Sequence, residues 1–262
     1  MILTIDGAAT FAATGGRPFD AADPAVLLLH GAGMDHTVWA LQARYFAHHG
    51  RSVLALDLPG HGRSAGSIRG SVGALADWVA QALDAAGLAR AALVGHSMGA
   101  LVALEAAART PGRVRSVALL GIAGRMPVHP DLQTAAAAGQ RLAPELMVAW
   151  GHGRAGQIGG HPSPGLWMMG NAISLIERSR EGVLAADLAA CNAYDGALAA
   201  AARVDCPTLF LLGAADRMTP PVHAKALSEA IKSARTVVLP DTGHMLMSER
   251  PDAVIDALKE IV

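Results

Sequence analysis

A serine flanked by two glycines, in the pentapeptide Gly-His-Ser-Met-Gly at 95–99, has the spacing of a reactive hydroxyl. The apolar run Ala91–Val94 before it predicts a buried strand, and the alanine- and leucine-rich run after it predicts a helix that ends near Pro111. A Gly-x-Ser-x-Gly sequence between a strand and a helix is typical of a nucleophile elbow, a sharp turn that lifts the serine off the backbone. We therefore predict that Ser97 is a nucleophile at a helix N-terminus, where backbone N–H groups favour a developing negative charge.

Ser97 needs two partner groups, because a serine hydroxyl is a weak nucleophile at neutral pH. A base must accept its proton, and a third group must hold the tautomer of that base. In a sheet that carries such an elbow, the acid and then the histidine follow the serine along the chain, in loops past the ends of later strands. Asp216 and His244 meet this condition, so they are the predicted acid and base.

Three other residues compete for these two roles. Asp241 lies in the same loop as His244 and is the alternative acid. Asp57 is expected to form a turn that fixes its own loop. Eleven histidines are present, and His96 is adjacent to Ser97 in sequence, but its side chain is expected to point away from the hydroxyl.

Two backbone N–H groups are expected to bind the oxygen on which negative charge develops, and losing one such donor costs roughly 10²–10³-fold in rate. The first predicted donor is Met98, directly after the nucleophile. The second lies in the small loop that follows the strand ending at His30, where Ala32 is the prediction and Gly33 the alternative. Gly31 and Gly33 are also expected to let the substrate approach the backbone.

The elements that must position these residues alternate between strand and helix. Continuous apolar runs of the kind found in parallel sheets, buried on both faces, occur at 26–29, 53–56, 91–94, 114–120, 207–213 and 236–239. Helical spacing occurs at 38–47, 71–86, 222–231 and 251–261. Two short segments, 1–5 and 9–13, predict an antiparallel hairpin at a sheet edge.

The alternation stops at about residue 125 and resumes at 204. The intervening segment has no convincing strand and three helical stretches, near 132–150, 166–177 and 183–202. Because the sheet pattern resumes afterwards, we interpret 125–203 as a helical cap inserted into one core domain formed by 1–124 and 204–262.

Large apolar side chains are candidates for lining a substrate pocket, although core packing explains each of them equally well on its own. Pocket lining is more plausible for those that lie within the cap. The candidates are Trp39, Trp150, Trp167, Met168 and Met245.

Composition excludes several classes of partner. The chain has 262 residues, of which 52% are hydrophobic, enough for one large α/β domain. The formal net charge of −1 predicts neither a nucleic-acid nor a membrane partner. Residues 1–7 do not resemble a secretory signal, and Cys191 and Cys206 are expected to be free thiols in a cytoplasmic protein.

Two features of the glycine-rich break within the cap resemble ligand motifs. Residues 151–156 match Gly-x-Gly-x-x-Gly, but they follow no strand, so a mobile cap loop is the better interpretation. His152 and His161 flank this loop without the cysteine or nearby acid that would complete a metal site. We therefore predict no metal and no organic cofactor.

These motifs together resemble the α/β-hydrolase fold superfamily, and the resemblance spans nearly the whole chain. The segments that carry it are 30–33, 57–64, 95–99, Asp216 and 241–244. The resemblance implies an eight-stranded, mostly parallel sheet with only its second strand antiparallel, helices on both faces and an inserted cap. Within the superfamily the chain looks most like small bacterial carboxylesterases and 3-oxoadipate enol-lactonases. The serine nucleophile argues against haloalkane dehalogenases and epoxide hydrolases of this fold, which use an aspartate.

The implied reaction is attack of Ser97 on a carbonyl, followed by hydrolysis of the acyl-serine by a water that His244 activates. The expected substrate is a small, largely apolar ester or lactone. Two alternatives stay open. The same three side chains can serve carbon–carbon bond hydrolysis or perhydrolysis, and a hydrolase fold can act as a non-catalytic ligand-binding protein. The oligomeric state is not predicted.

Overall fold

A central sheet organises the fold of a computed structural model, which describes residues 1–161, 163 and 165–262. Among these residues the sheet has eight strands. They are β1 Ile2–Ile5, β2 Ala8–Ala13, β3 Ala25–Leu29, β4 Ser52–Leu56, β5 Ala91–His96, β6 Val114–Leu120, β7 Thr208–Gly213 and β8 Ala234–Leu239. Their spatial order is β1-β2-β4-β3-β5-β6-β7-β8. Only β2 runs antiparallel to its neighbours β1 and β4, and every other pair is parallel. The predicted sheet is confirmed.

Helices cover both faces of this sheet, as predicted. They are α1 Ala40–Ala47, α2 Val72–Ala85, α3 Met98–Arg109, α4 Pro130–Ala137, α5 Leu142–Gly151, α6 Arg154–Gln157, α7 Met168–Glu177, α8 Val183–Ala193, α9 Ala197–Ala201, α10 Lys225–Ala230, α11 Leu246–Glu249 and α12 Pro251–Lys259. Single 3₁₀ turns cover His36–Trp39 and Pro221–Ala224.

The central strand β3 shows why its sequence is continuously apolar. Leu27 and Leu29 belong to the core layer that also contains residues of α2 and α3. Val26 and Leu28 belong to the opposite layer, which contains residues of α1 and α12. Side chains alternate between the faces of a strand, so a strand with a helix layer on each side needs an apolar residue at every position.

Two helical stretches predicted as continuous are divided in the structure. Gly139 has a φ of 62° and ends α4, because this left-handed conformation is open to glycine at low cost. The second break follows Tyr194, whose backbone is extended, and it separates α8 from α9.

The cap consists of helices that pack mainly on one another, with contacts between α4, α5, α7 and α8. In contrast, α9 packs against α3 and α10 in the core layer. We propose that the cap begins near residue 125 and ends near Ala193, ten residues before the boundary expected from the sequence. Within the described ranges, the structure contains no helix that is long and apolar enough to cross a membrane.

Candidate active site

Ser97 lies at the junction between β5 and α3, with φ 54° and ψ −117°. Only three described residues other than glycine have a positive φ, and Ser97 is one of them. Such a conformation costs about 1–3 kcal/mol and persists only where the surroundings fix it. Here the N–H of Ser97 donates to Leu120 O at 2.9 Å, and its carbonyl accepts from Ala100 N at 2.9 Å.

The two glycines of the pentapeptide are required by close backbone packing. A Cβ on Gly95 would lie 2.1 Å from the carbonyl oxygen of Gly99, and a Cβ on Gly99 would lie 2.3 Å from that of Leu29. Neither neighbour is a flexible side chain that can move away. The helix α3 therefore packs across β5 and β3 only with glycine at both positions.

His244 and Asp216 form a buried hydrogen-bonded pair in loops that follow β8 and β7. His244 Nδ1 lies 2.8 Å from Asp216 Oδ2, which also accepts from the Thr219 hydroxyl at 2.7 Å. Asp216 Oδ1 accepts from the backbone N–H groups of Met218 and Thr219, both at 2.8 Å. All polar positions of the carboxylate are thus engaged, and its orientation toward the imidazole is fixed.

The charge of Asp216 determines which nitrogen of His244 carries the proton. Burial alone would raise the pKa of Asp216, but the charge and hydrogen bond of His244 and the bonds from Thr219 hold that pKa well below its usual range. An ionised carboxylate only accepts hydrogen bonds, so it favours the tautomer with Nδ1–H. Nε2 of His244 is then the basic atom, and it is buried without a partner among the described residues.

The competing residues have other surroundings. Asp241 is exposed on a turn with a φ of 49°. Asp57 accepts hydrogen bonds from His36 and from Arg63 N, so it fixes its own loop. The Nε2 of His96 lies 2.9 Å from His244 O, a carbonyl that can only accept, so this nitrogen carries a proton and is not the base. Burial and the nearby His244 lower the pKa of His96 to about 3.

The geometry distinguishes the two candidate donors in the loop after β3. The Gly33 N–H already donates to Asp187 Oδ2 at 2.8 Å. Ala32 instead lines the same cavity as Ser97. Met98 is the first residue of α3, so its N–H has no acceptor inside the helix. This arrangement favours Ala32 and Met98 over Gly33 as the pair of donors.

His30 holds this loop against the loop after β4. Its Nδ1 lies 2.9 Å from Gly31 O, and its Nε2 accepts from Leu58 N at 3.1 Å. Burial and the neighbouring His61 lower the pKa of His30 to about 4, so the ring is neutral and can donate through one nitrogen and accept through the other.

A cap residue that sequence reasoning missed also holds the loop. Asp187 of α8 accepts from Gly33 N and lies 2.8 Å from His61 Nε2, through the same carboxylate oxygen. Both side chains are 1% exposed. Burial would lower the pKa of His61, but the hydrogen bond and charge of Asp187 outweigh it and raise that pKa. A single acid on a predicted helix carries no signal by which the sequence would reveal this contact.

We expect this pair to make stability depend on pH. The pKa of His61 is raised in the folded protein. The stability that the charged pair contributes is therefore complete below pH 6.5, the ordinary pKa of histidine, and is lost as the pH rises through the pKa of the folded state. Asp187→Asn keeps an oxygen acceptor but removes the charge. It is expected to lower the free energy of unfolding by about 1–3 kcal/mol at pH 6 and by less at pH 9, measured by urea denaturation.

Asp195→Asn is the matched control for this prediction. Asp195 is an exposed acid just past the end of the cap and lies 3.8 Å from Arg125, and exposed pairs contribute about 0–1 kcal/mol. Its effect is expected to be small at both pH values. An Asp187→Asn effect of equal size at pH 6 and pH 9 would contradict the assignment of the stabilising charge to His61.

A cavity of about 390 Å³ opens beside Ser97, Ala32 and His244. Its walls are mostly apolar and come from the loop after β6 and from the cap helices. Residues that contribute apolar surface include Met126, Val128, Leu132, Met147, Trp150 and Leu188. Thr219, Arg217 and His129 are its polar lining residues besides Ser97 and His244.

The structure separates the predicted pocket residues into two groups. Trp150 lines the cavity, and Met245 lines a smaller chamber that adjoins Ser97. Trp39 is instead fully buried in the core layer next to α1, and Trp167 is 67% exposed. Met168 is buried and faces a separate groove between α1 and α7.

The predictions for Trp39, Trp167 and Met168 therefore differ from the structure. A large apolar residue in a sequence indicates burial or a pocket, but not which side of its helix faces the nucleophile. Gly31 does lie next to the nucleophile, because a Cβ there would be 3.3 Å from Ser97 Cβ. A Cβ on Gly33 would instead meet Leu184 of the cap at 2.8 Å.

Comparison with proteins of known sequence identifies relatives that match part of this chain and relatives that match most of it. The acetyltransferase component of the acetoin cleaving system of Pseudomonas putida is 43% identical over 100 residues, which is 38% of this chain. This match covers only 27% of the length of that relative. The pimeloyl-(acyl-carrier protein) methyl ester esterase of Neisseria meningitidis serogroup B is 30% identical over 250 residues, covering 90% of this chain and 92% of the esterase.

Solved structures include one that is similar to this chain over nearly its whole length. The enol-lactonase from Burkholderia xenovorans LB400 superposes with a TM-score of 0.87 and 25% identity, over 99% of this chain and 98% of the lactonase. A sequence model of the alpha/beta hydrolase family matches residues 26–257. The match runs from β3 to α12 and includes all three of Ser97, Asp216 and His244. This chain belongs to the alpha/beta hydrolase family.

Proposed function

We propose that the protein is a serine hydrolase that cleaves carboxylic esters or lactones of small, largely apolar molecules through an acyl-serine. The observation that carries the proposal is that Ser97 and His244 line one cavity while His244 Nδ1 lies 2.8 Å from Asp216, which leaves Nε2 as a base without a partner among the described residues. A serine beside a histidine whose other nitrogen is held by a carboxylate is the arrangement that activates a hydroxyl.

The proposed first half-reaction is acylation. Ser97 Oγ attacks the carbonyl carbon while His244 Nε2 takes the hydroxyl proton. The carbonyl oxygen becomes negative and accepts hydrogen bonds from the Ala32 and Met98 N–H groups. His244 then gives its proton to the leaving alcohol oxygen, or to the ring oxygen of a lactone, and that carbon–oxygen bond breaks. In the second half-reaction water hydrolyses the acyl-serine and regenerates Ser97.

The cavity supports an apolar acyl or alcohol group as the part of the substrate that is recognised. Its volume of about 390 Å³ falls near the lower end of the range of roughly 300–1,000 Å³ for small-molecule sites. The relatives also support esters and lactones, since they include a protein named as a methyl ester esterase and one described as an enol-lactonase.

The test is hydrolysis of p-nitrophenyl acetate, butyrate and octanoate by wild type and by Leu132→Trp. Leu132 lines the cavity but not the smaller chamber beside Ser97, so the larger side chain should reduce the room for a long acyl chain. We expect kcat/KM for octanoate to fall by at least about tenfold, with acetate changed much less. A fluorophosphonate probe is expected to label Ser97 in both proteins.

Two outcomes would contradict this proposal. If wild type hydrolyses none of the esters and no probe labels Ser97, the esterase function is wrong. If the wild type is active but Leu132→Trp affects acetate and octanoate equally, the cavity is not where the acyl chain binds.

A further inference from the structure

A second, much smaller chamber adjoins Ser97. Ala32, Ser97, His152, Met218, His244 and Met245 are among the residues that line it. Its volume is about 20 Å³, and a cavity needs at least roughly 10–15 Å³ to hold one water molecule. The chamber therefore has room for water beside the nucleophile, but not for an acyl chain.

Two buried ring nitrogens belong to residues that line this chamber. Nε2 of His244 and Nε2 of His152 are both buried and both lack a hydrogen-bond partner in the part of the chain that the structure describes. His152 is 1% exposed and His244 is 2% exposed. Buried polar atoms are rarely left unpaired, and a bound water needs two to four polar partners. Ser97, His152 and His244 all line the chamber, and a water molecule inside it would give both nitrogens a partner.

The hydrogen bonds of His152 define the role of its free nitrogen. Nδ1 lies 3.0 Å from Val148 O, a carbonyl that can only accept, so Nδ1 carries the proton. Burial lowers the pKa of His152, which keeps the ring neutral. Nε2 is therefore an unprotonated acceptor that can receive a hydrogen bond from water.

The backbone fixes His152 relative to the loop of His244. Gly151 O accepts from His244 N at 2.8 Å and from Met245 N at 3.1 Å. The buried carboxylate of Glu249 joins both loops, since its Oε2 accepts from Gly153 N at 2.9 Å and from Gly243 N at 3.1 Å. Three hydrogen bonds thus connect residues 151–153 with residues 243–249, and the fourth, from Gly243 N, holds Glu249 in place within the second segment. The backbones that carry the two imidazoles are therefore held together.

We propose that the chamber binds the water molecule that hydrolyses the acyl-serine, and that His152 orients this water. The inference rests on the proposed serine hydrolase function and assigns its second substrate to a site separate from the acyl cavity. It also gives the cap a role in the chemistry of deacylation, besides its role in lining the cavity.

The proposed step balances as follows. The water oxygen forms a bond to the acyl carbon, and one water proton passes to His244 Nε2. The other proton remains on that oxygen, hydrogen-bonded to His152 Nε2. The bond from the acyl carbon to Ser97 Oγ then breaks, and His244 returns its proton to Oγ. The products are a carboxylic acid and free Ser97.

The test separates acylation from deacylation with p-nitrophenyl acetate and butyrate. In His152→Ala we expect kcat to fall by about 10–100-fold, because an unoriented water attacks slowly. KM is expected to fall by a similar factor, so that kcat/KM, which reports acylation, is unchanged. Mass spectrometry of the quenched enzyme at steady state should find more acylated Ser97 than in wild type. Added methanol should capture a larger share of the acyl group, because methanol can enter through the larger cavity.

Two further variants keep the inference independent of misfolding. His152→Gln offers an amide oxygen as acceptor and is expected to recover most of the wild-type kcat. Gln157→Ala is the matched control, because the Gln157 side chain donates to the backbone oxygens of His152 and Ala149 without lining the chamber. It is expected to leave kcat and the acylated fraction near wild-type values.

The outcomes distinguish this inference from the function on which it rests. If wild type never forms an acyl-serine, the proposed function fails and the water site fails with it. The water site alone is overturned if wild type turns over through an acyl-serine but His152→Ala deacylates at the wild-type rate. It is also overturned if Gln157→Ala shows the same defect as His152→Ala, or if kcat/KM falls without a rise in acylated Ser97.

Discussion

Ser97→Ala is expected to lower kcat for ester hydrolysis by at least about 10⁴-fold, to the level of the uncatalysed reaction plus the contribution of binding and the anion-binding N–H groups. The mutation removes the only atom that forms the acyl intermediate, while His244 and Asp216 keep their contacts. Binding of an apolar substrate or product is expected to change little, because the side chain contributes one small hydroxyl to the cavity wall. Steady-state kinetics and the loss of fluorophosphonate labelling measure both effects.

Ser97→Gly supplies the matched comparison for stability. Ser97 has φ 54° and ψ −117°, and alanine retains this strain whereas glycine adopts such a conformation freely. We expect Ser97→Gly to be as inactive as Ser97→Ala. Its free energy of unfolding is expected to be about 1 kcal/mol higher than that of Ser97→Ala. Activity of Ser97→Ala within about tenfold of wild type would show that another group is the nucleophile.

Asp216→Asn is expected to lower kcat by about 10⁴-fold, the magnitude known for this change in a serine protease triad. The reason lies in the two backbone N–H groups that donate to Oδ1. They force the oxygen of an asparagine to the Oδ1 position, which leaves the amide NH₂ at the Oδ2 position against His244 Nδ1. An NH₂ group donates, so it stabilises the tautomer with Nε2–H, which cannot take the proton of Ser97.

Asp241→Asn tests whether the acid is assigned correctly. Asp241 is the other acid near His244 in sequence, but it is exposed, and its replacement is expected to leave kcat within about twofold of wild type. Comparison of kcat for the two variants at neutral pH, with circular dichroism to confirm folding, is sufficient. A large loss in Asp241→Asn together with a small loss in Asp216→Asn would reverse the assignment.

The parts of the site that the sequence predicted are those that the backbone constrains. Gly95 and Gly99 are fixed by carbonyl oxygens that lie 2.1 and 2.3 Å from any added Cβ, so few sequences can make this turn. Asp216 follows β7, which is buried at every position, whereas His244 follows the edge strand β8, which is partly exposed but still has a recognisable apolar run. Because these constraints act over short stretches of chain, they leave patterns that can be interpreted without a structure.

The cavity walls were less predictable, for a physical reason. Trp39, which is fully buried in the core, and Trp150, which lines the cavity, are both large and apolar. Their roles differ only in which neighbours surround them, and that depends on how helices far apart in sequence pack. The contact between His61 and Asp187 was missed for the same reason, since the two residues are 126 positions apart in the chain.

The contact between Asp187 and Gly33 N bears on whether this cap can be treated as an interchangeable module. A cap transplanted from a relative to alter substrate preference would also replace the residue that holds the loop carrying Ala32. His61 and the Gly33 N–H, both in the core, would then be left buried without their acceptor. Recombination of cap and core among relatives is therefore constrained to pairs that preserve an acceptor at this position, so substrate range and core chemistry would not diversify independently.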